Sequence, residues 1–419
     1  MLAQVYRRFG EVDAAGTVYE RVAVALSESA EAMRAIETAL PARRRNPTAV
    51  LAALHYLALA GQAPALAAAY TAADAAGPSA GSAAAATAGS AAAGSDAALA
   101  AGRAGGTAGS GAATEAAGSA AAADADSAAD AAGAAAGSGA GGGADADVVA
   151  GAAVETLLRM TGSVAEIAVR WRVRADETGR GTVLYPAVAE AAYRVGADAV
   201  GLIDVGCGAG LNLTVDRVGI SYGAGQRLGD PASPVQLSCS IVNDRPVPAR
   251  AIPDVVARIG IDPDPVDVTD PDEARWLRAC RWPGRPERAA RLDAELALAA
   301  ADPPDLLRGD VVELLPDALA RVPAGVLPVV TTTWALSSLS LENRLRFLQR
   351  LDAAATHRPV AWVSAEGVGV APAIPTMGDR PASGHTILGL AVFEHSVLRA
   401  EALGRCWSRG RLLAWLAGA

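Results

Sequence analysis

Apolar positions recur at helical spacing early in the chain, give way to a long tract of small residues, and return as short β-branched runs alternating with amphipathic segments. Val22, Leu26, Met33 and Ile36 form a broken stripe that predicts one helix over 18–39. Pro41 and an arginine run interrupt it. Asn46 and Pro47 have the form of an N-cap and first-turn proline, opening an apolar helix over 48–60 that contains His55 and stops at Gly61. Two such helices cannot bury an adequate core alone, so residues 1–64 are expected to form a helical cap that packs on something else.

Past the small-residue tract the pattern predicts helices over 152–174 and 183–195, then an apolar strand ending near Val205. Further strands are expected at Val235–Val242, Ile259–Asp262, Leu306–Asp310, Val326–Thr333 and Pro359–Ser364. Helices are expected over 271–281, 286–301 and 341–355, and a closing antiparallel pair at Thr386–His395 and Arg405–Trp415. Alternating strands and helices predict an α/β fold, a Rossmann-like, mostly parallel sheet flanked by helices over 151–419. In such sheets ligands bind at the carboxyl ends of the strands, where strand order switches. Asp204, Asp310 and Glu366 fall at or just past expected strand ends.

Composition changes the picture in the middle of the chain. From Thr71 to Asp147 nearly everything is Ala, Gly, Ser or Thr, with Leu99 the one large apolar residue. Nothing there offsets the entropy of ordering a backbone, so 65–150 are expected to be a disordered, flexible insertion. That segment also carries most of the net charge of −9. Eight acids stand against Arg103 within it, a balance of −7 that leaves the remainder near −2. Neither part has the basic surplus of a nucleic-acid binder.

Every strongly basic residue is arginine; the chain has no lysine. Schiff-base chemistry, a pyridoxal-phosphate anchor and a Walker-type lysine are thereby excluded. Cysteines 207, 239, 280 and 406 are widely separated, which fits a reducing cytosol and argues against a zinc ribbon or disulfide framework. The start lacks an apolar signal core and no stretch has membrane-spanning composition, so a cytoplasmic protein is expected. There is no G-x-S-x-G elbow and no H-E-x-x-H pair, so serine-hydrolase and metal-hydrolase chemistry, and a bound metal, are not expected.

The stretch Gly201–Leu213 carries the candidate chemistry. An apolar strand reaches Asp204, then turns through Gly206, Gly208 and Gly210 into an expected helix start. Glycines let the backbone turn sharply and approach a ligand closely, and a helix start offers unpaired N–H groups. Dinucleotide binding wants G-x-G-x-x-G, and here Leu211 occupies the third position of that frame, which disfavours NAD. The spacing instead resembles motif I of class I methyltransferases, which bind S-adenosylmethionine. The resemblance implies that the glycines line the ligand, that Asp204 orients the loop or the ligand's ammonium, and that Asp310 accepts from the adenine. Asp262, ending the second strand, would bind the ribose. Glu366, His385 and His395 are candidate bases, needed only if the acceptor loses a proton. His55 reads as a core residue.

Tyr6–Phe9, Pro47–Tyr56, Asp204–Leu213, Gly229–Pro234, Pro265–Asp270, Arg275–Leu277, Trp282 with Pro283, and Arg308–Asp310 together resemble an uncharacterised bacterial family, domain of unknown function number 2332. The resemblance covers nearly the whole chain outside the small-residue tract and implies a class I methyltransferase-like fold, with no established activity. Where relatives tend to read Gln-Thr-Asn-Glu before a Gly-Arg pair, this chain reads Arg174–Glu177 and then Gly179-Arg180. Glu177 and Arg180 remain as candidate substrate residues, and the missing amides suggest an altered or inactive member. Two readings follow: an S-adenosylmethionine-dependent methyltransferase of a small-molecule acceptor, or a binding or scaffold protein that kept the fold.

Overall fold

A computed structural model describes residues 1–76, 142–174, 179–223, 225–395 and 397–418. Most of the expected insertion, and Glu177, lie outside the described residues. The chain divides into two compact units, Met1–Asp176 with Arg275–Ala290, and Glu177–Ala274 with Arg291–Ala419.

The first unit is helical. The single helix expected over 18–39 is two, Val18–Glu28 and Ala30–Ala39. Ser29 between them has extended backbone, and its hydroxyl accepts from Ala32 N–H at 3.1 Å, so it caps the second helix instead of continuing the first. Asn46 caps Pro47–Leu59 as its sequence position implies, accepting from Ala49 N–H at 2.8 Å. The expected insertion is ordered at both ends. Pro64–Ala76 is a helix, and another runs Gly142–Arg159 before a break at Met160 and a final helix Thr161–Arg170. Gly142–Arg159 packs against Val18–Glu28 and Pro64–Ala76. Leu66, Tyr70, Val149 and Leu157 thereby join Leu26, Ile36, Leu51 and Leu54 in one core. These helices supply the apolar surface that residues 1–64 lack.

His55, on an apolar helix, is partly buried here and has its hydrogen-bonding satisfied within the chain. Its Nδ1 lies 3.1 Å from the Ala279 carbonyl and 3.0 Å from that of Arg281, so Nδ1–H donates to both and the ring is neutral. Burial pushes its pKa down to about 4. The folded value is depressed below the unfolded one. This group's stabilisation is therefore complete above about pH 6.5 and lost as pH falls toward 4, on the order of 3 kcal/mol in all. An NMR titration should find the imidazole neutral at pH 5.5; a midpoint above 6 would contradict this placement.

The second unit is built on a nine-stranded sheet. Its strands are β1 (Ala199–Val205), β5 (Ser240–Ile241), β6 (Asp254–Asp262), β7 (Asp305–Arg308), β8 (Leu327–Thr333), β9 (Val360–Gly367), β10 (Thr386–Glu394), β11 (Val397–Trp407) and β12 (Leu412–Trp415). They lie in the order β5-β12-β11-β10-β9-β8-β1-β6-β7. Neighbours from β9 to β7 are parallel. Numbered by appearance, these five run 3-2-1-4-5, the doubly wound order with its switch between β1 and β8. Beyond β9 the strands β10, β11 and β12 are antiparallel. A separate three-stranded sheet holds β2 (Gly219–Ser221), β3 (Arg227–Gly229) and β4 (Gln236–Ser238).

Side chains alternate between two cores, as strand pleating requires. Leu202, Val329, Ala361 and Val363 face one core with Leu184 and Val188 of helix Gly181–Val195. Ile203, Val330 and Trp362 face the other, with Leu315 of helix Val311–Arg321 and Phe347 of helix Leu341–Ala354. Two strand expectations need correction. Val235–Val242 is not one edge strand but β4 and β5, which belong to different sheets. The second closing strand begins at Val397, directly after a turn in which His395 adopts φ +48°, and 405–415 is split by another turn at Ser408–Gly410.

Candidate functional site

Five parallel strands end along one edge of the sheet, and each end carries or adjoins a polar side chain. After β1 the chain turns through Gly206, Gly208 and Gly210 at φ +73°, +56° and +71°. A side chain at Gly206 would put its Cβ 2.9 Å from Cβ of Ala335, so close packing adds to the conformational demand. The loop is braced by the neighbouring strand. Gly206 and Cys207 N–H donate to the Ile261 carbonyl at 2.8 and 3.2 Å, and Gly208 N–H donates to the Asp262 carboxylate at 3.0 Å. Asp262 also accepts from Asp264 N–H at 2.8 Å.

The helix expected behind the glycines is instead a 3-10 segment, Leu211–Arg217, kinked at Thr214. Its side chains are drawn away from helical roles. Asn212 turns inward to Asp204, and Arg258, which grips Asp216 through two bonds of 2.7 and 2.8 Å, also takes the Leu213 carbonyl. The dipole of a full helix is therefore absent from this turn.

Asp204 and Glu366 are each 1 % exposed. Asp204 accepts from Thr331 Oγ1 at 2.7 Å and Asn212 Nδ2 at 3.1 Å. Burial raises its pKa to about 6, against the pull of these bonds and of the Arg180 charge. Glu366 lies on β9, inside the strand rather than past it. Its Oε1 accepts from Ala335 and Leu336 N–H at 3.0 and 3.1 Å, while Oε2 is buried without a hydrogen-bond partner. Burial raises its pKa to about 7, opposed by those N–H groups, by the nearby Thr332 hydroxyl and by Arg180. Arg180 opens helix Gly181–Val195, and its Nη1 donates to Thr333 Oγ1 at 2.8 Å and to the Thr333 carbonyl at 3.3 Å. Two carboxyls with raised pKa values around one guanidinium, at the switch point of a doubly wound sheet, form a functional-site candidate.

A cavity of about 20 Å³ adjoins this group, lined by Arg180, Leu211, Asn212, Val215 and Glu295 among others. That is room for about one water molecule.

The other expected residues are more scattered. Asp310 caps helix Val311–Arg321, accepting from Val312 and Glu313 N–H at 2.9 and 3.0 Å. Its role in the folded chain is thus the helix-capping one. His385 holds Asp379 at 2.8 Å, and Arg405 grips the same carboxylate. The pairing of Thr386 with Gly367 puts His385 near the strand ends that carry Glu366. His395 does not belong to the group. Phe393 pairs with Val360 at the start of β9, so the turn holding His395 is at the opposite edge of the sheet. It cannot serve as a base beside Asp204.

The site also contains residues that the pattern of acids and glycines does not single out. Thr331, Thr332 and Thr333 put three buried hydroxyls at the end of an apolar strand, and Trp334 follows at φ +58°, 37 % exposed. A hydroxyl run closing an otherwise apolar strand was the available signal. Left-handed backbone at a bulky residue costs on the order of 1–3 kcal/mol and concentrates at functional sites.

Among the described residues no cluster of three His, Cys, Asp or Glu side chains is arranged to hold a metal, and no single helix is long and apolar enough to cross a membrane. No curated protein and no solved structure matches the chain. A family model described as "uncharacterized protein conserved in bacteria (DUF2332)" matches residues 3–103 and 83–415, nearly the full length. The chain belongs to that family.

Proposed function

We propose that the α/β unit is an S-adenosylmethionine-dependent methyltransferase acting on a small-molecule acceptor. The carrying observation is the row of acids at adjoining strand ends, Asp204 on β1, Asp262 on β6 and Asp310 just past β7, beside a glycine turn at the sheet's switch point. Those carboxylate acceptors suit the N–H and O–H donors of the ligand's ammonium, ribose hydroxyls and adenine amine. Asp262 and Asp310 already accept backbone N–H groups, yet a carboxylate has about four acceptor sites, so capacity remains for a ligand. When bound, the cofactor supplies a methyl group on a positively charged sulfur.

Displacement at such a methyl needs little beyond alignment. The chain's own part would be to hold the acceptor over β8 and β9 and to keep water out. Glu366 sits near its proton-transfer midpoint at neutral pH and is the group suited to take a proton from the acceptor. Turnover should then rise as pH passes about 7.

Calorimetric titration with S-adenosylmethionine, S-adenosylhomocysteine and NAD tests this reading. Micromolar binding of the first two alone supports it. Gly208→Val should weaken that binding at least a hundredfold, since Gly208 is at φ +56° and its N–H is held by Asp262. Unchanged affinity in a folded variant would reject the site. One observation favours a non-catalytic scaffold: the N–H groups of Gly206, Cys207, Gly208 and Gly210 have partners within the chain. Silence from all three ligands would favour that reading.

A further inference from the structure

The guanidinium of Arg180 is in an unusual position for a structural arginine. It opens a fifteen-residue helix, so its charge adds to the positive end of the helix dipole, an arrangement that normally costs about 0.3–1 kcal/mol. Its Nη1 is spent on uncharged Thr333. Its Nε is buried with no hydrogen-bond partner, and no carboxylate among the described residues lies within ion-pair distance of it. A buried donor left unmade costs about 1–3 kcal/mol. Asp204, the nearby acid that would neutralise it, is committed instead to Thr331 and Asn212.

The second unsatisfied atom is Oε2 of Glu366. Thr333, which holds Arg180, pairs across the sheet with Ala365, the residue before Glu366. A fork-shaped cation whose Nε has no acceptor and a buried carboxyl whose Oε2 has no donor are thus presented beside neighbouring strand ends. Arginine forks match carboxylates through paired N–H bonds.

We propose that this edge receives an α-amino or α-hydroxy acid group: Arg180 takes the carboxylate, and Oε2 of Glu366 takes the adjacent N–H or O–H. This rests on the methyltransferase reading only for which molecule carries that group. It can be the acceptor, or the methionine end of the cofactor, whose ammonium has N–H donors for both Asp204 and Glu366.

Two arms separate these sources, using the full chain. In the first, thermal shift is followed with glycine, lactate and acetate, against glycinamide and lactamide as uncharged controls. Stabilisation by glycine or lactate and not by their amides, absent in Arg180→Met and partly restored in Arg180→Lys, supports an acceptor carboxylate. In the second, S-adenosylmethionine is compared with its decarboxylated form. A loss of tenfold or more in wild type that vanishes in Arg180→Met puts the cofactor's own carboxylate on Arg180. The methyltransferase reading fails if neither sulfonium binds, while the first arm still reads out. The inference is overturned if acids and amides behave alike in the first arm and decarboxylation changes nothing in the second. Circular dichroism of both variants guards against misfolding.

Discussion

Glu366→Gln is expected to stabilise the α/β unit at pH 8 by about 2–3 kcal/mol and to change it little at pH 4.5. The buried carboxyl has its pKa raised to about 7, above the ordinary glutamate value of 4.5. Its contribution is thus fully present below pH 4.5 and lost as pH rises through 7, because the folded state must then hold a buried charge that two N–H bonds and Arg180 only partly offset. Every tenfold difference in proton affinity between the folded and unfolded chain corresponds to about 1.4 kcal/mol. Glutamine can keep the two bonds from Ala335 and Leu336 and leaves nothing to ionise. Asp204, raised to about 6, adds a slope of the same sign at lower pH, and the variant should retain it. Urea midpoints at pH 4.5, 6 and 8 would measure both. A wild-type unit equally stable at pH 5 and 8 would remove the basis for the assignment. The same variant should lose most turnover if the glutamate accepts a proton in the reaction.

Trp362→Ala should cost the α/β unit about 3–5 kcal/mol, the range for truncating a large buried aromatic. The ring is fully buried on β9, edge-on to Phe347 at 5.4 Å, and its N–H donates to Thr332 Oγ1 at 3.0 Å. That bond fixes the threonine run beneath the candidate site, so the truncation should also loosen Glu366. Trp362→Phe keeps most of the volume and removes only the donor, with an expected loss of about 1–2 kcal/mol. A loss under 1 kcal/mol for the alanine variant would mean the core is far less tightly packed than its burial implies.

The parts of the fold written in local pattern were legible. The apolar strand into Asp204, the glycine turn, and a second strand closing on Asp262 despite a long intervening segment could all be read from neighbouring residues. What escaped depended on single polar atoms or on distant chain. Ser29 breaks a helix because one hydroxyl turns back to Ala32, which periodicity does not register. Leu66, Tyr70 and Val149 are isolated in a background of alanine, and their burial depends on packing between separate helices that local periodicity does not register. His395 sat near the closing strands in sequence, but strand direction, not proximity, decides which end of the sheet a turn occupies. The site was legible as carboxylates and not as a network. Thr331, Thr333 and Asn212 matter through their bonds to Asp204 and Arg180, and those partners meet only when β1 and β8 pair.

The helical unit takes its final piece, Arg275–Ala290, from a point in the chain beyond β6. During synthesis at about 5–20 residues per second, the carbonyls of Ala279 and Arg281 emerge well after His55. Until then the imidazole has no acceptor for its N–H, and the indole of Trp276, which bonds Arg172 and stacks on Trp171, does not yet exist. Order of emergence therefore does not match order of completion. The first unit to begin is unfinished while the first two parallel strands, β1 and β6, are being made, so a nascent chain halted at 176 would hold an incomplete bundle, not a finished domain.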